Sequence, residues 1–358
     1  MSIAQPPSRV SILTPVYNGA DHLAECIESV LAQTYTNWDY TIVNNGSTDE
    51  SLAIAQRYAA KDPRIHVVNT DRFLGIVENH NFTARQISSH SKYCKFVFAD
   101  DWLYPQCVEE LVRLAERNPS VGLVGSYAMD GRSVRRHGPL YPSERIAGRE
   151  ACRNQLRGGP YVFGTMTMLL VRCDLIRKRA NLFDARHLQA DMEACFDLFQ
   201  ESDFGFVHQV LSFVRERDNA TDALAANLNS YYLGEMVIFL KYGRALLEER
   251  EYEQHLKRVR QRYYRVLAHN VLRLRSKEFW KYHEDTLEAY GGRVNPWLLA
   301  KFVIADLANH LAHPWNALRR SLHWWFPENR RGDDRQASEH QQSNSAEVLH
   351  DQNPLRPE

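Results

Sequence analysis

The sequence predicts an α/β fold, with a mostly parallel central sheet, helices on both faces and a C-terminal α-helical region. Three observations predict it. Short apolar strand-like runs alternate with amphipathic helical segments through the first half of the 358 residues, and a β-α-β-α-β order gives parallel strands joined by crossovers. The turns after three of those strands carry Asn, Gly and Asp residues, at the edge where open α/β sheets bind ligands. After about Asn219 the alternation gives way to long helical segments rich in Tyr, Arg and Leu.

The elements follow in order. Val10 to Thr14 is a short apolar strand, stopped by Pro15 and the turn-forming Asn18-Gly19. From Asp21 to Gln33, Leu23, Ile27, Val30 and Leu31 recur at helical spacing. Tyr40 to Val43 is a second strand, ended by Asn44-Asn45-Gly46. Thr48-Asp49-Glu50 opens a second helix with a capping hydroxyl and acids in its first turn. Ile65 to Val68 is a third strand, about Gly75 to Ser89 a helix, and Lys95 to Phe98 a strand with Asp100-Asp101 directly at its carboxyl end. A helix follows Pro105, and Val121 to Tyr127 is the next strand. Beyond Arg149, Gly158 to Val171 reads as a loop running into a strand, Arg186 to Gln200 as a helix, and Phe206 to Arg215 as a strand.

Composition is that of a globular protein, with 44% hydrophobic and 25% charged residues. The 44 basic and 44 acidic residues cancel, which argues against a nucleic-acid polymer as partner. A nucleotide-sized ligand needs no such basic excess. The six cysteines are scattered without a C-x-x-C pair, so neither a zinc site nor a disulfide framework is expected, and reduced buried thiols are. Residues 1–9 lack the apolar run of a signal peptide, and no stretch approaches the roughly 20 apolar residues of a membrane span. A cytoplasmic protein is expected.

Asp100-Asp101 is the strongest chemical signal. Adjacent carboxylates at the end of an apolar strand suit a hard divalent cation that bridges a diphosphate and takes one or two protein ligands. Such a cation stabilises charge on a departing nucleoside diphosphate. A helix or turn cap accounts for the pair equally well. The turn Thr14 to Gly19 adds Tyr17, an aromatic face for a base, and Asn44 to Asp49 offers amides to read a base edge.

The runs VSILTPVYNG, IVNNGSTDES and FVFADDW, in this order and spacing, resemble glycosyltransferase family 2, whose catalytic domain has the GT-A fold, a Rossmann-like sheet. The resemblance covers about the first 220 residues. It implies an inverting transfer of sugar from a nucleotide-sugar donor to a saccharide or lipid-linked hydroxyl acceptor, in cell-surface polysaccharide or glycolipid synthesis. It also implies roles. Thr14, Pro15 and Tyr17 would line the nucleoside pocket and Asn45 would face the base. Asp100 would contact the ribose or the metal, and Asp101 would ligate Mn²⁺ or Mg²⁺. Asp191, in Leu188-Gln189-Ala190-Asp191-Met192-Glu193, would be the general base, with Glu193 the weaker candidate. The chain departs from the family in carrying Asn44-Asn45 where Asp is common. Where Arg-x-His is common it has Arg215-Glu216-Arg217, so Arg217 would take the diphosphate role of that His.

Two rival readings differ in class. A sugar nucleotidyltransferase needs a basic phosphate loop after the first strand, and Thr14 to Gly19 holds no Lys or Arg. A silent nucleotide-binding scaffold would keep the pocket without the chemistry. The expected division is a catalytic domain over 1–220, a helical region over 221–326 and a disordered polar tail over 327–358. Residues 295–325 join an apolar face to basic and aromatic residues. That suits either peripheral contact with the inner face of the cell membrane or packing against the catalytic domain or a second copy.

Overall fold

The structure, a computed structural model, describes residues 7–131, 133–135, 138–159, 161–215 and 220–312. Arg217 and the tail over 327–358 lie outside them. The described strands are β1 (Val10–Val16), β2 (Trp38–Asn44), β3 (Ile65–Asn69), β4 (Tyr93–Phe96), β5 (Trp102–Leu103), β6 (Val121–Asp130), β7 (Ser133–Arg135), β8 (Arg145–Ile146), β9 (Leu169–Arg172) and β10 (Asp203–Val214). They form one sheet in the order β3-β2-β1-β4-β9-β6-β10-β5, with β7 beside β6 and β8 beside β10.

The sheet is mixed. β1, β2, β3, β4, β6 and β10 share one direction, while β9 enters antiparallel between β4 and β6. Parallel strands covered on both faces need apolar residues at every position, and β1 and β2 are buried along their whole length. Ile12, Tyr40 and Ile42 share a core with α1 (Ala20–Leu31), α2 (Ser51–Ala59) and α4 (Cys107–Arg117). The alternate side chains Leu13, Val43 and Phe96 are buried as well. Near them Phe96 meets Phe183 edge to face, and Asn81 of α3 (Ile76–Ala84) bonds the Phe183 carbonyl. All six cysteines are buried and free.

One difference from the sequence reading matters for the site. The fourth strand ends at Phe96, not at Phe98, so Asp100 and Asp101 lie in a turn beyond it. The Asp101 N–H closes that turn on the Phe98 carbonyl at 2.9 Å. The chain then reverses, because β5 pairs antiparallel with the end of β10.

The boundary expected at 220 is not where the chain divides. One compact unit comprises residues 1–260 and 278–293, the other 261–277 and 294–358. The first unit also holds α5 (Gly148–Leu156), α6 (Cys173–Arg177), α7 (Ala190–Phe199), α8 (Ala220–Asn227) and α9 (Ser230–Leu246). α9 belongs there because its Lys241 and Tyr242 bond acids of α7. The helix α10 (Glu249–Leu272) runs from the first unit into the second, and α11 (Lys277–Ala289) begins at the last residue of that segment. In the second unit the end of α10 packs on α12 (Pro296–Ala312), with Tyr264 and Phe302 rings 6.1 Å apart. The Tyr264 hydroxyl accepts the Asn295 N–H at 2.6 Å, and Asn295 caps α12 through the Leu298 N–H at 3.0 Å.

Gly148 opens α5 against the strand region, where a Cβ would stand 2.0 Å from the Ser202 carbonyl oxygen and 2.5 Å from that of Phe199. Neither backbone oxygen can yield cheaply. Gly148→Ala is therefore expected to destabilise the first unit by about 1–3 kcal/mol, read as a lower urea midpoint with an unchanged slope.

Candidate functional site

The turns after β1 and β2 are laced together. Asn18, at φ 50°, accepts the Thr48 N–H on its side-chain oxygen at 2.8 Å and donates its own N–H to Ser47 at 3.0 Å. Asp49 accepts the N–H of Ala20 at 3.0 Å and that of Ser51 at 3.0 Å, so one carboxylate serves the starts of α1 and α2. Burial would raise the pKa of Asp49, and the bonds from Ser51 and Ala20 outweigh it and lower it. Gly19 lies so near the third turn that a Cβ there would be 3.4 Å from the Ala99 methyl.

The residues expected around the nucleoside differ in where they lie. Thr14 and Pro15 are buried within β1, and the Thr14 hydroxyl bonds the Val97 carbonyl at 2.7 Å and the Tyr40 hydroxyl at 2.8 Å, inside the sheet. Asn45 is buried too. Its amide donates to the Leu74 carbonyl at 2.9 Å and accepts the Leu74 N–H at 2.8 Å, which fixes the loop after β3. Tyr17 stays at the surface. It meets Phe73 edge to face, with centroids 4.8 Å apart and both rings about half exposed. Phe73 belongs to that loop, and nothing in the sequence pairs it with Tyr17.

The third turn is tied down by a neighbour equally invisible in the sequence. Asp101 is 1% exposed. One of its oxygens accepts the Thr167 hydroxyl at 2.6 Å and the other accepts the Arg215 N–H at 3.0 Å. The Arg215 Nε donates to the Asp100 carbonyl at 3.0 Å, and its Nη2 pairs with Glu25 at 2.6 Å. Thr167 also accepts the Phe98 N–H at 3.2 Å, and its carbonyl accepts the ammonium of Lys95. Lys95 is wholly buried in β4 and bonds the Leu169 carbonyl as well, at 3.2 Å. Burial lowers its pKa, against the nearby Cys107 and Asp101. Asp100 remains half-buried at the surface of the turn. The acids lie close enough to Cys26 to add to the burial that pushes its thiol up to about 12.

Asp191 and Glu193 occupy the first turn of α7. Because α7 feeds β10, which runs with the main strands, that turn lies toward their carboxyl edge. No described contact joins it to Asp100 or Asp101. Asp191 is half-buried, accepts the Met192 N–H at 2.8 Å, and has its pKa raised by burial. Glu193 is fully buried and paired, with Lys241 at 2.6 Å, His187 at 2.5 Å and the Tyr290 hydroxyl at 2.9 Å. Burial would raise its pKa, but the bonds from His187 and Lys241 outweigh it.

A cavity of about 390 Å³ lies at the opposite edge, where β4 and β6 begin. Its charges answer one another, Lys92 with Glu116 and Arg172 with Asp174. Among the described residues no cluster of three or more His, Cys, Asp or Glu could hold a metal alone.

Comparison with known proteins gives the class first. TarS of S. aureus, solved with UDP-GlcNAc, has the same fold at a TM-score of 0.59 and 16% identity, over 79% of this chain and 80% of that one. PcManGT, a mannosyltransferase of Pyrobaculum calidifontis solved with GDP-Man and Mn²⁺, aligns at a TM-score of 0.51 and 13% identity over 91% and 89%. This is the GT-A fold. The model of glycosyl transferase family 2 matches residues 11–179, just under half of the chain. The uncharacterized glycosyltransferase YibD of Escherichia coli is 33% identical over 109 residues, 30% of each chain. The putative teichuronic acid biosynthesis glycosyltransferase TuaG of Bacillus subtilis is 29% identical over 152 residues, 42% of this chain and 59% of that one. The chain thus spans about a third of the first of these relatives and under two thirds of the second.

Two predictions test the geometry. Thr167→Val removes the donor to a buried carboxylate oxygen and is expected to cost about 1–3 kcal/mol of stability, measured by urea unfolding. Asp191→Asn is expected to melt higher than the parent at pH 7. The native state favours protonated Asp191, so stability is full below the unfolded pKa near 4 and falls as pH rises through the higher native value. The advantage of Asn should therefore shrink as the melting series is taken down toward pH 4.

Proposed function

We propose that the chain is an inverting glycosyltransferase that moves a sugar from a nucleoside diphosphate to a hydroxyl acceptor, in the synthesis of cell-surface polysaccharide or glycolipid. The observation that carries this reading is the half-exposed Asp100 on a turn held by buried Asp101, at the sheet edge that also carries the aromatic pair Tyr17–Phe73. The match of residues 11–179 to the glycosyl transferase family 2 model and the similarity to TuaG, a putative teichuronic acid biosynthesis glycosyltransferase, support it.

Asp100 suits Mn²⁺ or Mg²⁺, which accept one carboxylate together with diphosphate oxygens and water, as the Mn²⁺ in PcManGT also suggests. The cation would supply positive charge to the departing diphosphate. Asp101, whose oxygens already accept bonds from Thr167 and Arg215, positions Asp100 and is not the ligand. Tyr17 and Phe73 offer ring faces to the base. Asp191 takes the acceptor's proton as its oxygen attacks the anomeric carbon opposite the diphosphate, and its raised pKa makes it the stronger base of the two acids. Glu193 braces α7 on α9. A lipid-linked acceptor would place the enzyme at the inner face of the cell membrane, with residues 295–325 as its contact.

Thermal-shift titration with nucleotide-sugars, with and without Mn²⁺, tests the donor site. Asp100→Ala is expected to lose the metal-dependent part of the shift. Asp191→Asn should keep it while transfer falls by roughly 10²–10⁴. Full turnover by Asp191→Asn would remove it as the base.

A further inference from the structure

We propose that residues 261–277 and 294–312 seat the chain on an anionic lipid surface, with Leu274 and Trp297 entering the headgroup layer among basic side chains. This deepens the membrane contact of the proposed function and rests on that reading for its purpose, though its evidence is separate.

The charge is distributed unevenly. The whole chain balances 44 cations against 44 acids, yet 261–277 holds Arg262, Arg265, Arg273, Arg275 and Lys277 with no acidic residue, and 294–312 adds only Lys301 and Asp306. Each basic residue near an anionic leaflet raises affinity roughly fivefold.

The same unit carries exposed apolar side chains. Leu274 is 90% exposed, Trp297 86% and Ile304 67%. Leu274 has φ 49°, a left-handed conformation that a bulky residue seldom adopts, and it stands between Arg273 and Arg275. α12 is apolar on two sides. Its Leu298, Leu299, Phe302 and Val303 are half-buried, with Phe302 against Tyr264. Trp297, Ala300, Ile304 and Ala308 form an exposed stripe along its other side, flanked by Lys301.

A helix apolar on two sides needs a second apolar medium for the side that its neighbour leaves open. Among the described residues no helix is long and apolar enough to cross a membrane, so the fit is to a surface. Charge decides between the two occupants that remain. A second copy on a two-fold axis would set this basic patch against itself, whereas anionic headgroups neutralise it while the Trp and Leu side chains bury.

Co-sedimentation of the full chain with phosphatidylglycerol-containing vesicles tests the proposal. Binding is expected at low salt, with little to pure phosphatidylcholine vesicles, and about 0.5 M salt should weaken it strongly. The double variants Leu274→Ser/Trp297→Ser and Arg265→Glu/Lys277→Glu, at exposed positions, should each weaken binding at least about tenfold, with melting temperature and nucleotide-sugar shift unchanged. Equal binding to both vesicles, or binding that neither variant alters, would overturn it. So would self-association lost on Trp297→Ser without vesicle binding, which would make a second copy the occupant. Vesicle binding reads no donor, so a missing nucleotide-sugar shift in the parent chain would count against the donor site alone.

Discussion

The site depends on one buried carboxylate. An ionised Asp101 taken out of water would be costly unless strong donors replace the lost hydration, and it receives one on each oxygen, from Thr167 and from the Arg215 backbone. Those donors come from segments far apart in sequence, the 3₁₀ turn before β9 and the residue after β10. Asp101 therefore joins three loops at one edge of the sheet. The antiparallel entry of β9 between β4 and β6 is what brings Thr167 there. The buried Lys95 ammonium fastens the same turn from below through carbonyls of Thr167 and Leu169. Asp100, one residue away, inherits a fixed place at the half-buried surface of the turn.

The acids of α7 show the same division over two residues. Glu193 turns inward to Lys241, His187 and Tyr290, and so ties α7 to α9 and to the end of α11. Asp191 meets fewer donors, and burial raises its pKa. A buried carboxylate that is fully paired is a poor proton acceptor, while one desolvated without a cation beside it is a better one. Position in the helix separates a brace from a candidate base.

Much of the fold was legible because it rests on local pattern. The apolar runs at Val10, Tyr40, Ile65 and Val121 and the helical spacing of Leu23, Ile27 and Val30 each appear as expected. The Asp100-Asp101 turn was legible as a feature, but the inward fate of Asp101 was not, since Thr167 lies 66 residues away. The internal bonds of Thr14 and Asn45 were hidden for a related reason. Short polar residues at a ligand edge also satisfy buried backbone groups, and the carbonyls of Val97 and Leu74 claim them here. Lys95 lies in an expected strand, but nothing in the sequence marks its inward ammonium. The division at 260 was hidden because α10 runs through it unbroken.

A crystal structure of the chain grown with a nucleotide-sugar and Mn²⁺ tests the account most directly. The account predicts the Asp100 carboxylate on the cation, Asp101 still bonded to Thr167 and Arg215, and the base against Tyr17 or Phe73. A cation held by Asp101 with its bond to Thr167 broken, or a nucleotide bound at the opposite edge of the sheet, would contradict it.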